Sequence, residues 1–123
     1  MAMINRIIIC GTRDFDDREL LYSTLDSITH TMTNLEIISG GCRGADSIGE
    51  EYAKTRNILL TVFPADWDKY GRAAGPIRNK QMLNYALEEN AVVVAFWDGK
   101  SRGTLNMIQA AKNANVDVRI IRM

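Results

Sequence analysis

Residues 35–46 read Leu-Glu-Ile-Ile-Ser-Gly-Gly-Cys-Arg-Gly-Ala-Asp. The first five residues have the apolar, β-branched character of a buried strand, and the glycines that follow allow a tight turn. Ala45, Ile48 and Tyr52 then begin a helical apolar pattern. A strand that passes through a short glycine-rich turn into a helix is the unit of parallel α/β sheets, so this stretch predicts an α/β fold.

The same unit recurs along the chain. Apolar runs predict five strands, at residues 7–10, 35–39, 58–63, 91–97 and 116–121. Between them, apolar side chains three and four residues apart predict four helices. The order (βα)₄β predicts a single domain over residues 1–123, a three-layer α/β sandwich with a mostly parallel five-stranded sheet and helices on both faces.

Local signals place the ends of the helices. Asp16, three residues before Glu19, forms a capping-box pattern at the start of the first helix. Pro76 suits the first turn of the third helix, after an unusually long connection over residues 65–75. We expect Asn57, Asn90 and Asn115 to end helices, because Asn tolerates the left-handed backbone conformation.

Composition excludes several classes of protein. The chain has 123 residues, 46% hydrophobic and 24% charged, without an apolar run long enough for a transmembrane helix or a signal peptide. We therefore expect a cytoplasmic protein without a membrane partner. Fifteen basic residues balance fifteen acidic ones, which makes nucleic acid an unfavourable partner. Cys10, Cys42 and His30 cannot supply a zinc site, so we expect no metal or cofactor beyond Mg²⁺ carried by a phosphate ligand.

The loops that follow the predicted strands collect glycine, arginine, aspartate and tryptophan. Ligands of open α/β sheets bind beyond the carboxyl ends of the strands, so these loops hold the candidate site. The candidate ligand-binding residues are Gly11, Thr12 and Arg13; Ser39, Gly40, Gly41, Arg43, Gly44 and Asp46; Trp67, Arg78 and Asn79; and Trp97, Asp98, Ser101, Gly103 and Thr104.

The loop over residues 39–46 has the features of an anion site. Its glycines bring backbone N–H groups close to a ligand, the following helix adds its positive end, and Arg43 can add a charge-assisted hydrogen bond. The alternative is a tight strand-to-helix turn without a ligand. Gly103 and Thr104 begin the fourth helix in the equivalent position. They form either a second wall of the same site or a plain helix start without a ligand. Arg78 is either a third phosphate contact or an exposed arginine.

Aromatic and acidic residues complete the candidate set. Trp67 or Trp97 can stack on a base or pack its loop onto the sheet. Asp14, Asp46 and Asp98 can bind ribose hydroxyls, act as general acid or base, or pair with loop arginines. We expect those arginines to lower the carboxyl pKa values, which favours binding over catalysis.

The motifs at residues 11–15, 39–46, 65–67, 74–82 and 96–104, in this order and spacing, resemble the YspA-type family of the SLOG superfamily. The resemblance extends from about residue 6 to residue 121. It implies a Rossmann-like domain with a pocket for a nucleotide derivative, such as an ADP-ribose-like or cyclic nucleotide signal. It also implies a homo-oligomer, with a dimer favoured.

The resemblance also bears on catalysis. Related LOG proteins remove the base from nucleoside monophosphates with a Gly-Gly-x-Gly-Thr-x-x-Glu segment, and Met107 stands here in place of its glutamate. We therefore expect that the protein senses or sequesters its ligand. Sequestration would suit a viral protein that removes a nucleotide signal of its host. The alternative is a nucleotide-processing enzyme, an N-glycosidase or phosphoribohydrolase, with Asp98, Asp46 or Asp14 as its acid or base.

Overall fold

The computed structural model describes residues 3–123. In chain order, the elements are β1 (Asn5–Gly11), α1 (Arg18–Thr29), β2 (Leu35–Ser39), α2 (Ala45–Thr55), β3 (Leu59–Val62), α3 (Trp67–Tyr70), a 3₁₀ turn (Gly71–Ala73), α4 (Ala74–Ala86), β4 (Asn90–Trp97), α5 (Arg102–Asn113) and β5 (Asp117–Arg122). Within these residues, no helix is long and apolar enough to cross a bilayer.

The five strands form one sheet in the order β3-β2-β1-β4-β5. Every neighbouring pair is parallel; in register, Ile7 of β1 lies beside Ile37 of β2 and Val92 of β4. The predicted Rossmann-like α/β fold is confirmed, and the sheet is parallel throughout. The chain leaves β1 toward β2 on one side, and β4 lies on its other side. This change of direction opens a crevice at the carboxyl ends of β1 and β4.

Two hydrophobic cores cover the two faces of the sheet. Ile7 and Ile9 pack with α1 and α2, whereas Ile8 and Cys10 point to the opposite face and pack with α4 and α5. Both faces of the central strands are therefore buried. This explains why β1 is an uninterrupted apolar run rather than an alternating one.

A buried carboxylate joins strands near the amino end of the sheet. Glu36 of β2 is 1% exposed and accepts hydrogen bonds from Arg6 Nε at 2.9 Å, Thr61 Oγ1 at 2.7 Å and Tyr85 OH at 2.6 Å. Burial acts to raise the pKa of Glu36, but the hydrogen bonds from Tyr85, Thr61 and Arg6 leave it below its ordinary value. The cluster links β1, β2, β3 and α4, on the side of the sheet away from the crevice.

Several predicted boundaries need correction. The first helix begins at Arg18, where the Asp17 side chain accepts from the Leu20 N–H at 3.0 Å, so Asp17 and not Asp16 is its cap. The third strand is shorter than residues 58–63. The connection predicted over residues 65–75 contains α3 and the 3₁₀ turn, and α4 already begins at Ala74, so that Pro76 lies in its first turn as predicted. Short helices of one turn carry too little periodicity to be detected in a sequence.

The asparagine prediction is correct at two of its three positions. Asn57 and Asn115 have φ values of 56° and 60°. Asn90 is instead the first residue of β4, and Asn34, with a φ of 53°, has the left-handed conformation before β2. Helix α4 ends without a left-handed asparagine, because Leu87 continues its right-handed backbone.

The start of α2 is packed tightly against the loop after β1. Gly44 has a φ of 80°, and a Cβ atom there would collide with the carbonyl oxygens of Thr12 and Arg13. At the end of β1, a Cβ atom on Gly11 would lie 2.5 Å from the Phe96 carbonyl oxygen and 2.7 Å from Ala45 Cβ. These contacts fix where α2 begins relative to β1 and β4.

We predict that Gly44→Ala lowers the melting temperature by about 5–10 °C, because a left-handed backbone and a collision with carbonyl oxygens both destabilise the folded state. Gly103→Ala is the matched control, since a Cβ atom there meets open space and its φ is ordinary. Thermal unfolding followed by circular dichroism measures both variants. Equal melting temperatures for the two variants would contradict the prediction.

Candidate functional site

A cleft of about 540 Å³ lies at the carboxyl end of the sheet. Its floor includes Cys10 and Gly11 from β1, and its walls come from the first turns of α2, α4 and α5. Unpaired backbone N–H groups give the beginning of each helix a partial positive charge. The fold therefore directs three helix N-termini toward one space.

The structure brings most of the predicted residues to this cleft. Those that line it are Gly11, Thr12, Arg13, Asp14, Arg43, Asp46, Trp67, Arg78, Asn79, Ser101, Gly103 and Thr104. Those that do not line it are Ser39, Gly40, Gly41, Gly44, Trp97 and Asp98.

Four of the residues outside the cleft shape the loop that forms one of its walls. Ser39 is fully buried, donates to Glu50 Oε2 at 2.7 Å and accepts from the Gly41 N–H at 3.1 Å. Gly41 and Gly44 have φ values of 74° and 80°. These residues hold the backbone of the loop in a conformation that places Arg43 at the cleft.

Arg78 supports this loop from the opposite wall. Its side chain is 8% exposed, its Nη1 donates to the Gly40 carbonyl, and its Nε donates to Asn79 Oδ1 at 3.1 Å. A Cβ atom on Gly40 would lie 2.6 Å from Arg78 Nη1 and 2.9 Å from Asp46 Oδ2. Arg78 is therefore not an exposed helix-start arginine: it is a buried contact between α4 and the loop, and its guanidinium forms part of the cleft wall.

Asp46 has an unusual environment for a carboxyl group. It is 6% exposed, and its Oδ2 accepts from the Cys42 N–H at 3.2 Å. Burial raises the pKa of Asp46 to about 6, although the hydrogen bond from Cys42 and the charge of Arg78 oppose the rise. The expectation that arginines lower this pKa is wrong, because the loss of hydration outweighs their attraction.

Asp98 and Trp97 organise the loop before α5. Asp98 Oδ1 accepts from the backbone N–H groups of Ser101 and Lys100, both at 2.8 Å, and these bonds lower its pKa. Backbone amides, not arginines, therefore cause this shift. Trp97 Nε1 donates to the Ser101 carbonyl at 3.0 Å, and its ring lies 5.4 Å from the Arg122 guanidinium. Asp98 lies with Thr12 and Asp14 at a second, smaller cavity of about 380 Å³.

Positive side chains predominate in the cleft. Five arginines and two aspartates line it, whereas the charges of the whole chain balance. Among these side chains, Arg43 and Asp14 form an ion pair at 3.7 Å, but both are largely exposed, so water screens it strongly. Arg43 therefore remains available to an anion.

Sequence reasoning missed eight lining residues. They are Cys10, Cys42, Arg72, Gly75, Pro76, Met82, Arg102 and Asn106. Arg72 lies in the 3₁₀ turn and Arg102 begins α5, and both belong to segments that follow a predicted strand. Asn106 was detectable from helical spacing, because it lies one turn after Gly103; it accepts from Asn79 Nδ2 at 3.0 Å.

Trp67 lies at the edge of the cleft. It is 46% exposed, and the Arg13 guanidinium lies 5.7 Å from the centre of its ring. A Cβ atom on Gly75 would come within 3.4 Å of the ring, so Gly75 leaves room for it beside α4. The site thus combines an accessible flat aromatic surface with an excess of positive charge.

Comparison with known proteins agrees with this arrangement. A family model described as the YspA, cpYpsA-related SLOG family matches residues 5–70, more than half of the chain. The gene 61 protein of Mycobacterium phage D29 is 31% identical over 121 residues, which cover 94% of each chain. The chain belongs to the YspA-type SLOG family. The matched region extends from β1 to α3 and includes the loop over residues 39–46.

In this SLOG protein, helix α5 itself carries no carboxylate. Met107 is fully buried in the core on the α4 and α5 face, while the neighbouring Asn106 reaches the cleft. Burial also raises the pKa of the Cys10 thiol, which stays protonated and is a poor nucleophile. Among residues 3–123, no group of three His, Cys, Asp or Glu side chains is arranged to hold a metal ion.

We predict that Asp46 makes the SLOG domain less stable as the pH rises from about 4 to about 7. The folded state holds the Asp46 proton up to a pKa of about 6, whereas the unfolded chain releases it near ~3.9. The contribution of Asp46 to the free energy of unfolding is therefore fully present at low pH, and it is lost as the pH rises through about 6. Relative to Asp46→Asn, the wild type should lose about 2–3 kcal/mol of unfolding free energy over this range.

Urea unfolding of both proteins at a series of pH values measures the difference. The variant removes the titration, and any constant cost of the substitution cancels from the slope. A difference that does not change with pH, or that grows in favour of the wild type as the pH rises, would show that the Asp46 pKa is not raised.

Proposed function

We propose that this protein binds a small phosphate-bearing nucleotide derivative, of the ADP-ribose-like or cyclic nucleotide class, for sensing or sequestration in the cytoplasm. The observation that carries the proposal is the convergence of three helix N-termini and five arginines on one cleft with an exposed tryptophan at its edge. Membership of the SLOG family supports a nucleotide-related ligand.

The phosphate groups would bind between the starts of α2 and α5. Arg43 and Arg102 are exposed at the cleft and can each donate two parallel hydrogen bonds to a phosphate. Backbone N–H groups at the helix starts add further donors. The hydroxyls of Ser101 and Thr104, 3.1 Å apart, offer donors beside Arg102. Arg78 contributes its charge from the wall while its hydrogen bonds support the loop.

The nucleoside would occupy the part of the cleft near Trp67. An exposed indole ring provides the flat surface on which a base stacks. Asn79 Nδ2 donates to Asn106 Oδ1 across α4 and α5, and this bond leaves the Asn106 N–H groups to face the same space. Asp14 at the rim can accept from ribose hydroxyls. A volume of about 540 Å³ is in the range of pockets that hold ligands of nucleotide size.

Binding needs no resident cofactor in this proposal. A Mg²⁺ ion would arrive with the phosphates, and Asp14 is the carboxylate best exposed to join it. The gene 61 protein, to which the chain is similar, comes from a phage. The proposal includes the sequestration of a host nucleotide signal by a viral protein.

A direct test is mass spectrometry of the small molecules that co-purify with the protein. A second test is a thermal-shift screen of nucleoside monophosphates, ADP-ribose, cyclic ADP-ribose isomers and cyclic dinucleotides. The proposal expects at least one phosphate-bearing nucleotide to raise the melting temperature. It fails if no such compound co-purifies and none in the screen stabilises the protein.

We predict that Arg43→Ala weakens binding of the stabilising nucleotide about 10- to 150-fold, because each lost charge-assisted hydrogen bond is worth about 1.5–3 kcal/mol. The melting temperature of the free protein should not change, since Arg43 is exposed. Isothermal titration calorimetry gives both dissociation constants. Arg119→Ala is the matched control, because Arg119 is exposed on β5, where its ion pair with Asp117 lies away from the cleft. An equal loss of affinity in both variants would contradict a specific role for Arg43.

A second candidate function is catalysis at the same cleft. The observation in its favour is Asp46, a buried carboxyl with a pKa of about 6 that faces the ligand space. A carboxyl group with a pKa near neutrality can transfer protons as a general acid or base. In this case the protein would hydrolyse its nucleotide, for example at the N-glycosidic bond, with water adding to the ribose carbon while Asp46 protonates the leaving base.

Chromatography of the screened nucleotides after incubation separates the two functions. We predict that the bound nucleotide is recovered intact after heat denaturation of the protein. Multiple-turnover release of base or phosphate that is abolished in Asp46→Asn, while the variant still binds, would establish the catalytic alternative. Asp117→Asn is the control variant, because Asp117 is exposed on β5 away from the cleft and its substitution should leave any turnover unchanged.

A further inference from the structure

A series of side-chain hydrogen bonds joins α4 to α5 along one wall of the cleft. Arg78 Nε donates to Asn79 Oδ1 at 3.1 Å. Asn79 Nδ2 donates in turn to Asn106 Oδ1 at 3.0 Å and to the Gly103 carbonyl at 3.2 Å. Asn79 is only 5% exposed, and both its oxygen and its N–H groups are therefore used within the protein.

The direction of these bonds follows from their first member. A guanidinium carries only donors, so the atom of Asn79 that faces Arg78 is its oxygen. The Asn79 nitrogen is then the atom that faces α5, where it can bond only to an acceptor. Asn106 meets this requirement with its own oxygen, and its nitrogen is directed away from Asn79.

The Asn106 nitrogen keeps two N–H groups for a ligand. Within residues 3–123, Asn106 Nδ2 donates to no protein group, and it is accessible, because every buried side-chain nitrogen or oxygen in that range has a partner. Asn106 is half-buried and lines the cleft. Since its oxygen is already bonded, the side chain offers only donors to a ligand. Such a group binds an atom with an available lone pair and disfavours the amino group of a base, which is itself a donor.

The amide lies on the same side of the cleft as the exposed tryptophan. The Trp67 ring lies beside Gly75 of α4, where a Cβ atom would be 3.4 Å from it. Gly75 and Asn79 are four residues apart, which places them on one face of α4 and about 6 Å apart along its axis. A base stacked on Trp67 would therefore direct one of its edges toward the pair of asparagines.

We propose that Asn106 is a specificity-determining residue whose N–H groups select a nucleotide with a carbonyl oxygen, rather than an amino group, on the base edge that faces α5. The inference rests on the proposed function, because it gives one side chain of the nucleotide cleft its partner. The phosphates would bind to the exposed arginines, whereas an uncharged amide suits the edge of a base. Guanine, hypoxanthine and uracil carry a carbonyl oxygen where adenine and cytosine carry an amino group.

Matched nucleotides test this selection. Inosine diphosphate and adenosine diphosphate have the same ribose and phosphates, but the purine carries a carbonyl at position 6 in the first and an amino group in the second. Uridine diphosphate and cytidine diphosphate differ in the same way at position 4. Isothermal titration calorimetry of the wild type should show about 10-fold tighter binding of the carbonyl member in at least one pair, because the amino member leaves a donor without a partner.

Asn106→Asp reverses the polarity of this contact. One carboxylate oxygen still accepts from Asn79 Nδ2, and the other replaces the N–H groups, so the preference should disappear or turn toward the amino nucleotide. The ratio of the two dissociation constants is the readout, because repulsion between the new charge and the phosphates weakens both nucleotides equally. Asn113→Asp is the matched control, since Asn113 is exposed at the far end of the same helix, and it should keep the wild-type ratio.

Circular dichroism confirms that each variant is folded. Equal affinity for the two members of both pairs in the wild type would overturn the inference, and so would a carbonyl preference that Asn106→Asp leaves unchanged. In both cases nucleotides bind, and the proposed function stands. If none of the four nucleotides binds to the wild type, the result counts against the proposed function itself, and the inference fails with it.

Discussion

The contact between the Arg78 guanidinium and the Gly40 carbonyl is the interaction on which the cleft depends. It joins α4 to the loop after β2, and Arg78 is only 8% exposed. A hydrogen bond from a charged donor contributes about 1.5–3 kcal/mol, and its loss would also leave a buried carbonyl without a partner. The contact requires glycine at position 40, because a Cβ atom there would occupy the position of the guanidinium.

The same contact determines the chemistry of Asp46. With the loop held against α4, the Asp46 carboxyl is enclosed between the loop backbone and Arg78, where few water molecules can reach it. Burial raises the pKa of Asp46 to about 6, because the backbone hydrogen bonds from Cys42 and Gly40 and the charge of Arg78 do not compensate for the lost hydration. The site therefore contains two kinds of charge: buried groups that hold the walls in place, and exposed arginines that can meet a ligand. Such a division keeps the cleft formed before the ligand arrives, which reduces the entropy lost on binding.

The fold was predictable from the sequence because its elements are buried on known faces. The run at residues 7–10 predicted β1 since both of its faces meet helices, and the glycines after β2 predicted a tight entry into α2. Topology then placed the loop residues at one edge, so most candidate residues reached the cleft without any knowledge of contacts. The sequence could not show which of these side chains are buried and which are exposed. Arg43 and Arg78 look alike as loop and helix-start arginines, yet one is exposed and the other supports a buried carbonyl. Trp67 and Trp97 differ in the same way, because the ring of Trp97 is held by the Ser101 carbonyl outside the cleft.

The net charge of the whole chain predicts little attraction for a phosphate, whereas the local charge of the cleft predicts a strong one. A neutral chain with a uniform charge distribution would have little attraction for a phosphate, but here the fold directs five arginines and three helix starts into one cleft. Most of the compensating acidic residues lie outside the cleft, for example Asp16, Asp17 and Asp98 at the neighbouring cavity. An anion approaching from solvent is therefore attracted to the cleft and repelled from the adjoining cavity. This asymmetry is a property of the topology, because it arises from which strand ends carry arginine and which carry aspartate. It concentrates positive charge of a neutral protein at the carboxyl end of its sheet, where the proposed phosphate-bearing ligand would bind.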